Sequence, residues 1–193
     1  MKIAIAGSHG LIGTNLVTHF RKLNNNVTRI VRSKEQNGIY WDPRTGYINH
    51  ENLEGYDVVI NLCGEKIASL NPFFKNKSNL ISSRVNTNLI LSKTIAKLKN
   101  PPKFFITASA TGIYKPSKRR ITESSKFNQG FLAQLALEWE EASKFYSNGK
   151  TKVINLRLGQ VISSDSFYFK AMSNISKYMK ISSFGNGRQR WPW

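Results

Sequence analysis

The chain has 193 residues, 40% of them hydrophobic, with 29 Lys and Arg against 11 Asp and Glu, a formal net charge of +18. That length supports one domain with a sizeable core, since a chain of ~150 residues already buries about 70% of its unfolded surface, and the apolar content excludes a disordered tail. The charge fits nucleic acid, an anionic membrane or a small anionic ligand, but it is spread evenly: residues 1–100 carry 14 basic and 6 acidic side chains, and residues 101–193 carry 15 and 5.

Ile3 to Ala6 reads as a short buried strand; it meets Gly7 too soon to be the apolar core of a secretory signal. Leu11, Ile12, Leu16, Val17, Phe20 and Leu23 then recur at helical spacing up to Asn24-Asn25-Asn26. Val27 to Val31 predicts a second strand, and Tyr40-Trp41-Asp42-Pro43 with Thr45-Gly46 a small turn or hairpin. Asp57 to Asn61 is a third strand. Asn71-Pro72 opens a long helical pattern through Leu80, Val85, Leu89, Ile95 and Leu98, stopped by Pro101-Pro102. Phe104 to Ile106 starts a fourth strand, a loop runs from Ser109 to Asn128, and a helix extends from about Gly130 to Tyr146 before Asn148-Gly149. Val153 to Leu158 is a fifth strand and Phe167 to Tyr178 a last helix. This alternation predicts an α/β fold, a Rossmann-like doubly wound parallel sheet with helices on both faces. No apolar run approaches the ~18 residues of a membrane span. The single Cys63 leaves no internal disulfide to form, so a reducing compartment, the cytoplasm, is expected, with the mitochondrion as the eukaryotic alternative.

Gly7-Ser8-His9-Gly10-Leu11-Ile12-Gly13 is a G-x-x-G-x-x-G sequence between the first strand and the first helix. Glycines there permit a tight turn, let the backbone approach a pyrophosphate, and let helix pack on strand, while the helix N-terminus supplies N–H groups and a positive dipole end. The end of the second strand discriminates the dinucleotide. An acid would accept the ribose 2′-hydroxyl of NAD, whereas Arg accommodates a 2′-phosphate. The chain reads Thr28-Arg29-Ile30-Val31-Arg32-Ser33, with no acid before Glu35, which favours NADP with Arg32 as phosphate partner. The alternative for Arg32 is one more solvated charge. His9, His19 and His50 lack metal-ligand spacing, so no metal site is expected. Cys63 has no Cys or His neighbour and reads as packing.

With these residues in place, the chain resembles the extended short-chain dehydrogenase/reductase superfamily, and within it the atypical epimerase subgroup. The likeness runs through Gly7 to Gly13, Tyr40 to Pro43, Asp57 to Glu65, Ser83 to Thr87, Pro101 to Lys103, Phe131 to Ala133, Trp139-Glu140 and Gly185 to Gln189, in family order. The resemblance implies cofactor contacts from Gly7, His9, Gly10, Leu11, Ile12, Gly13, Val31, Arg32, Leu62, Cys63, Gly64, Arg84 and the position of Asn79, where the family has Glu. It also implies that Asn86 and Ser109 fill two of the catalytic positions. The Tyr-x-x-x-Lys pair is replaced by Phe131 and Leu135, neither of which can give up a proton. Tyr114 is either a wall of the site or the substitute acid, and Arg157 either reaches the ligand or forms an ion pair.

In the family, the stretch ending at Trp193 precedes a sixth strand and a small substrate domain. The sequence therefore reads as residues 1–193 of an NADP-binding domain incomplete at its C-terminus, with Phe184, Trp191 and Trp193 expected to pack on that substrate domain. Three functions compete: an NADP-binding, epimerase-like oxidoreductase acting on a small molecule such as a sugar nucleotide or carbonyl compound; a catalytically silent NADP-binding sensor or scaffold, favoured by Phe131 and Leu135; and a basic nucleic-acid binder. The last is disfavoured because aromatic and basic residues do not interleave in a recognisable module.

Overall fold

A computed structural model of the chain describes residues 1–65, 77–146, 149–178, 186–188 and 192. The strands are β1 (Lys2–Ala6), β2 (Asn26–Val31), β3 (Ile39–Asp42), β4 (Tyr47–Ile48), β5 (Val58–Asn61), β6 (Phe104–Ala110) and β7 (Lys152–Leu158). The helices are α1 (Leu11–Lys22), α2 (Lys77–Ile81), α3 (Thr87–Ala96), α4 (Phe131–Lys144) and α5 (Phe167–Tyr178), with a π-helical turn over Ser82–Asn86 between α2 and α3. Asn71-Pro72, expected to open the long helix, and Phe184, Trp191 and Trp193 lie outside the described residues.

One seven-stranded sheet has the order β4-β3-β2-β1-β5-β6-β7, parallel throughout except for the β3–β4 pair. The fold is Rossmann-like, as expected. Strand alternation sends successive side chains to opposite faces, and both faces are filled. Ile3, Ile5, Val27, Val58 and Ile60 pack under Val17, Leu16 and Phe20 of α1. Ala4, Ala6, Ile30, Val59 and Phe105 pack under Leu91 and Ile95 of α3, with Trp41 and Leu53 closing that core. α1 ends where Asn24 takes a left-handed conformation (φ 57°), one that Asn tolerates better than most residues.

The structure extends two expectations. The predicted hairpin does more than turn: Ile39 and Tyr40 of β3 pair in parallel with Ile30 and Val31, because fully buried Trp41 docks this segment onto the sheet. The fourth strand continues beyond Ile106 to Ala110, since Thr107, Ala108 and Ser109 are buried and pair with β7.

Topology then fixes where a ligand can sit. From β1 the chain moves outward to β2 and β3, then returns to the other side of β1 as β5. At this reversal the loops leaving β1 and β5 diverge, opening a crevice at the carboxyl ends of the strands.

Candidate functional site

The glycine loop lies at that crevice, and its three glycines do different work. Gly7 has φ 71°, and a Cβ there would stand 2.7 Å from the Leu62 carbonyl carbon, so the loop rests on the exit of β5. A Cβ on Gly13 would overlap the Gly7 carbonyl oxygen and stand 2.7 Å from Ser8 Cα, so this glycine lets α1 pack on the loop. Gly10 is not crowded: its Cβ would meet only Gly7 O, at 3.4 Å. Its side-chain position faces an open cradle. Gly10 also caps α1 in an extended conformation with no side-chain cap, and the first turn of α1 holds no acid. Ser8 Oγ, in the same loop, is buried without a hydrogen-bond partner among the described residues. Uncapped helix N–H groups and a cradle that a methyl group would fill fit a bound phosphate. His9 is exposed, whereas Leu11 and Ile12 are half-buried at the start of α1.

At the end of β2, Val31 is buried and Arg32 exposed, with no described residue paired to it. Glu35, the first acid beyond the strand, accepts a hydrogen bond from Ser33 Oγ, which holds its carboxyl below the usual range. Leu62 N–H donates to Ala6 O at 3.0 Å, keeping the β5 exit beside the loop. Cys63 packs against the core; burial pushes its thiol up to about 12, against the pull of the Arg32 charge, which makes it a neutral packing group.

The π-turn clasps the next residues. Glu65 N–H donates to Ser83 Oγ at 3.0 Å, and Arg84 Nη2 donates to Glu65 O at 2.7 Å. Arg84 is buried, lies over the Trp139 ring at 5.2 Å, and also donates to Leu80 O. A Cβ on Gly64 would come 3.3 Å from the guanidinium, so the backbone lies directly on it. Burial lowers its pKa against the opposing pull of the Glu65 carboxylate, and it forms no close ion pair among the described residues. Asn79 and Asn86 are exposed, and the structure gives neither a side-chain hydrogen bond to Ser109 or Tyr114.

The sequence reading missed the polar seam beneath this turn. Fully buried Asn61 donates to Thr87 Oγ1 at 3.2 Å and to Asn88 Oδ1 at 2.7 Å, and accepts from Cys63 N–H at 3.0 Å. Asn88 in turn donates to Trp139 O at 2.8 Å, tying α3 to α4. A polar Asn ending the apolar strand Val58–Ile60 was the available signal.

At the other end of the site, Ser109 and Arg157 sit side by side in the β6–β7 register and face Glu140 of α4. Glu140 Oε1 accepts from Ser109 Oγ at 2.6 Å and from Arg157 Nε at 2.8 Å, and Oε2 accepts from Arg157 Nη2 at 2.8 Å. Burial raises the Glu140 pKa, but the bonds from Arg157 and Ser109 outweigh it, so the group stays below the usual carboxylate range. A carboxylate only accepts, so Ser109 spends its one proton here and has none for a ligand. Arg157 Nη1 donates to the Tyr114 hydroxyl and stacks over that ring at 5.0 Å. Arg157 only donates, so the Tyr114 proton points elsewhere. Tyr114 and Arg157 line a cleft of about 1600 Å³ whose rim includes Lys118, Arg119, Arg120 and Glu123. Phe131 lies beneath the Lys77 ammonium, 5.2 Å from the ring, and Leu135 is buried.

The structure therefore gathers the glycine loop, Val31, Arg32, Leu62, Cys63, Gly64 and Arg84 around the carboxyl ends of β1, β2 and β5. It places Ser109 and Tyr114 together with Arg157 at the end of β6. Among the described residues no three His, Cys, Asp or Glu side chains converge as metal ligands, and no helix is long and apolar enough to cross a membrane.

A family model described as NAD dependent epimerase/dehydratase family matches residues 3–193. An epimerase family protein of Mycobacterium leprae is 34% identical over 99% of this chain and 62% of its own length; one of Staphylococcus aureus is 28% identical over 98% and 65%. The chain thus spans less than two thirds of these curated relatives. Among solved structures, the human epimerase family protein SDR39U1 with NADPH superposes with a TM-score of 0.86 at 26% identity, over 100% of this chain and 65% of that one. A nucleoside-diphosphate sugar epimerase from Corynebacterium glutamicum gives 0.81 at 27% identity, over 97% and 39%.

Proposed function

The chain belongs to the NAD dependent epimerase/dehydratase family, and on that premise we propose that residues 1–193 form the NADP-binding domain of an epimerase-like oxidoreductase of the extended short-chain dehydrogenase/reductase type. The observation that carries the cofactor choice is the open cradle at Gly10 with exposed Arg32, which has no pairing partner among the described residues, at the end of β2, where an NAD-binding chain needs an acid. The human relative solved with NADPH supports it. When bound, the reduced nicotinamide supplies hydride. Gly10, Ser8 and the first turn of α1 hold the pyrophosphate, Arg32 the 2′-phosphate, and Leu62 to Gly64 with Arg84 line the route toward β6.

Charge-assisted hydrogen bonds contribute about 1.5–3 kcal/mol, roughly 10- to 100-fold in affinity. Arg32→Asp should therefore weaken NADPH by that factor and leave NADH nearly unchanged in a fluorescence titration. Equal losses for both dinucleotides sink the NADP assignment.

For chemistry, Tyr114 is the proton donor, because Ser109 has no proton to give and Phe131 none at all; Asn86, exposed at the end of the π-turn, is a positioning group. The substrate is a small carbonyl compound or sugar nucleotide. Tyr114→Phe should abolish NADPH oxidation across a carbonyl panel while leaving NADPH affinity intact; unchanged turnover rejects Tyr114 as the acid. The second reading is an NADP-binding protein without catalysis, favoured by Phe131 and Leu135. Tight NADPH binding with no turnover on any carbonyl selects it.

A further inference from the structure

Arg29 occupies a position that the fold reserves for apolar side chains. It lies two residues beyond Val27 on β2 and stands opposite Ile5 of β1, and both of those pack in the core beneath α1. Its Nη1 donates to the carbonyl oxygen of Ser8, inside the glycine loop, and Thr14 Oγ1 approaches the same oxygen at 3.4 Å. No described carboxylate forms an ion pair with Arg29. The guanidinium thus lies half-buried near the positive end of α1, a helix with no acid in its first turn and no side-chain cap. Two positive features side by side repel one another, and burial compounds the cost. An anion in the cradle removes that cost for both at once. The bond to Ser8 has a second effect: it occupies a loop carbonyl that would otherwise be free to face the anion.

We propose that Arg29 is a positioning residue for the dinucleotide pyrophosphate, acting through the Ser8 carbonyl and by its charge behind the loop, and separate from Arg32. The proposal rests on the dinucleotide reading above. Because the pyrophosphate is common to both cofactors, Arg29 serves NADPH and NADH alike, whereas Arg32 serves only the 2′-phosphate.

The test compares the full chain with Arg29→Met, Arg29→Lys and Arg32→Asp. Each is titrated with NADPH and NADH, and melted with and without them. Arg29→Met should weaken both dinucleotides by the same factor, about tenfold for the loss of one positive charge behind the loop, with an apo melting temperature equal to or above wild type. A residue with a merely structural role would lower the apo melting temperature instead. Arg29→Lys, which keeps the charge and loses the fork, should recover part of the affinity. Unchanged affinity in Arg29→Met, or a loss confined to NADPH, overturns the proposal. If wild type binds neither dinucleotide, the cofactor reading fails by itself, and Arg29 is then judged with inorganic pyrophosphate: equal binding by wild type and Arg29→Met rejects it.

Discussion

Gly10→Ala should give a folded protein that holds a dinucleotide roughly 10- to 100-fold more weakly, while alanine at Gly7 or Gly13, in the same loop, should damage the fold itself. The three sites differ in what a methyl group meets. At Gly10 the backbone is already in a region any residue adopts (φ −76°), and the only neighbour is Gly7 O at 3.4 Å. Gly to Ala at a compatible backbone position stabilises by about 0.4–1 kcal/mol through the unfolded chain, so the urea midpoint should stay or rise. The methyl group then fills the cradle where a phosphate must approach the backbone. Overpacking costs about 1–3 kcal/mol, or roughly 10- to 100-fold in NADPH affinity. At Gly13 the same methyl group overlaps the Gly7 carbonyl, and at Gly7 it combines a left-handed φ with a backbone clash against Leu62. Left-handed strain adds about 1–2 kcal/mol at Gly7. Urea unfolding and NADPH fluorescence titration on the three variants separate the effects. Wild-type affinity in Gly10→Ala means that the cradle is not the phosphate site.

This division among glycines shows how far a sequence can be read. The spacing from Gly7 to Gly13 between an apolar run and a helical pattern places the loop, because short-range periodicity sets strand and helix. Which glycine is crowded and which is open depends in part on Leu62 and Cys63, about fifty residues away, and no local pattern carries that. The same holds for β3: Tyr40-Trp41-Asp42-Pro43 announces a turn, yet its parallel docking on β2 depends on Trp41 finding Leu53 and Ile39 in the core. Arg29 and Arg32 look alike in sequence, three residues apart on a basic strand end. Register puts one beneath α1 against Ser8 and leaves the other in solvent. Phe131 and Leu135 were legible only against the family pattern, since by themselves they are ordinary helix residues. Glu140 is the clearest case of what spacing cannot show. It follows Trp139 on α4 with neither partner near it in sequence; the β6–β7 pairing brings Ser109 and Arg157 onto it, 31 and 17 residues away.

That pairing makes Glu140 the residue whose loss should cost most stability at the end of β6. The carboxylate is 7% exposed and its partner guanidinium 20%, so water replaces little of what is lost. Removing one partner of a buried ion pair costs about 3–5 kcal/mol, because the remaining charge stays unpaired. Glu140→Ala also leaves Ser109 Oγ, buried in β6, without its acceptor. Glu140→Gln should not rescue: an amide nitrogen facing Arg157 Nη2 sets donor against donor. Against a total of about 5–15 kcal/mol, either change should move the urea midpoint far more than Arg32→Asp does. The pH dependence has a fixed sign. In the native state the Glu140 carboxyl lies below its ordinary value of 4.5, with burial outweighed by the bonds from Arg157 and Ser109. A depressed native pKa contributes stability that is complete above the unfolded value and is lost as pH falls through the native one. Wild type should therefore lose stability on acidification below about pH 4.5, and Glu140→Gln should lack that component of the loss while starting from a lower midpoint at neutral pH. Parallel acid profiles for the two proteins would show that the Glu140–Arg157 pair does not hold the end of β6 to α4 in solution.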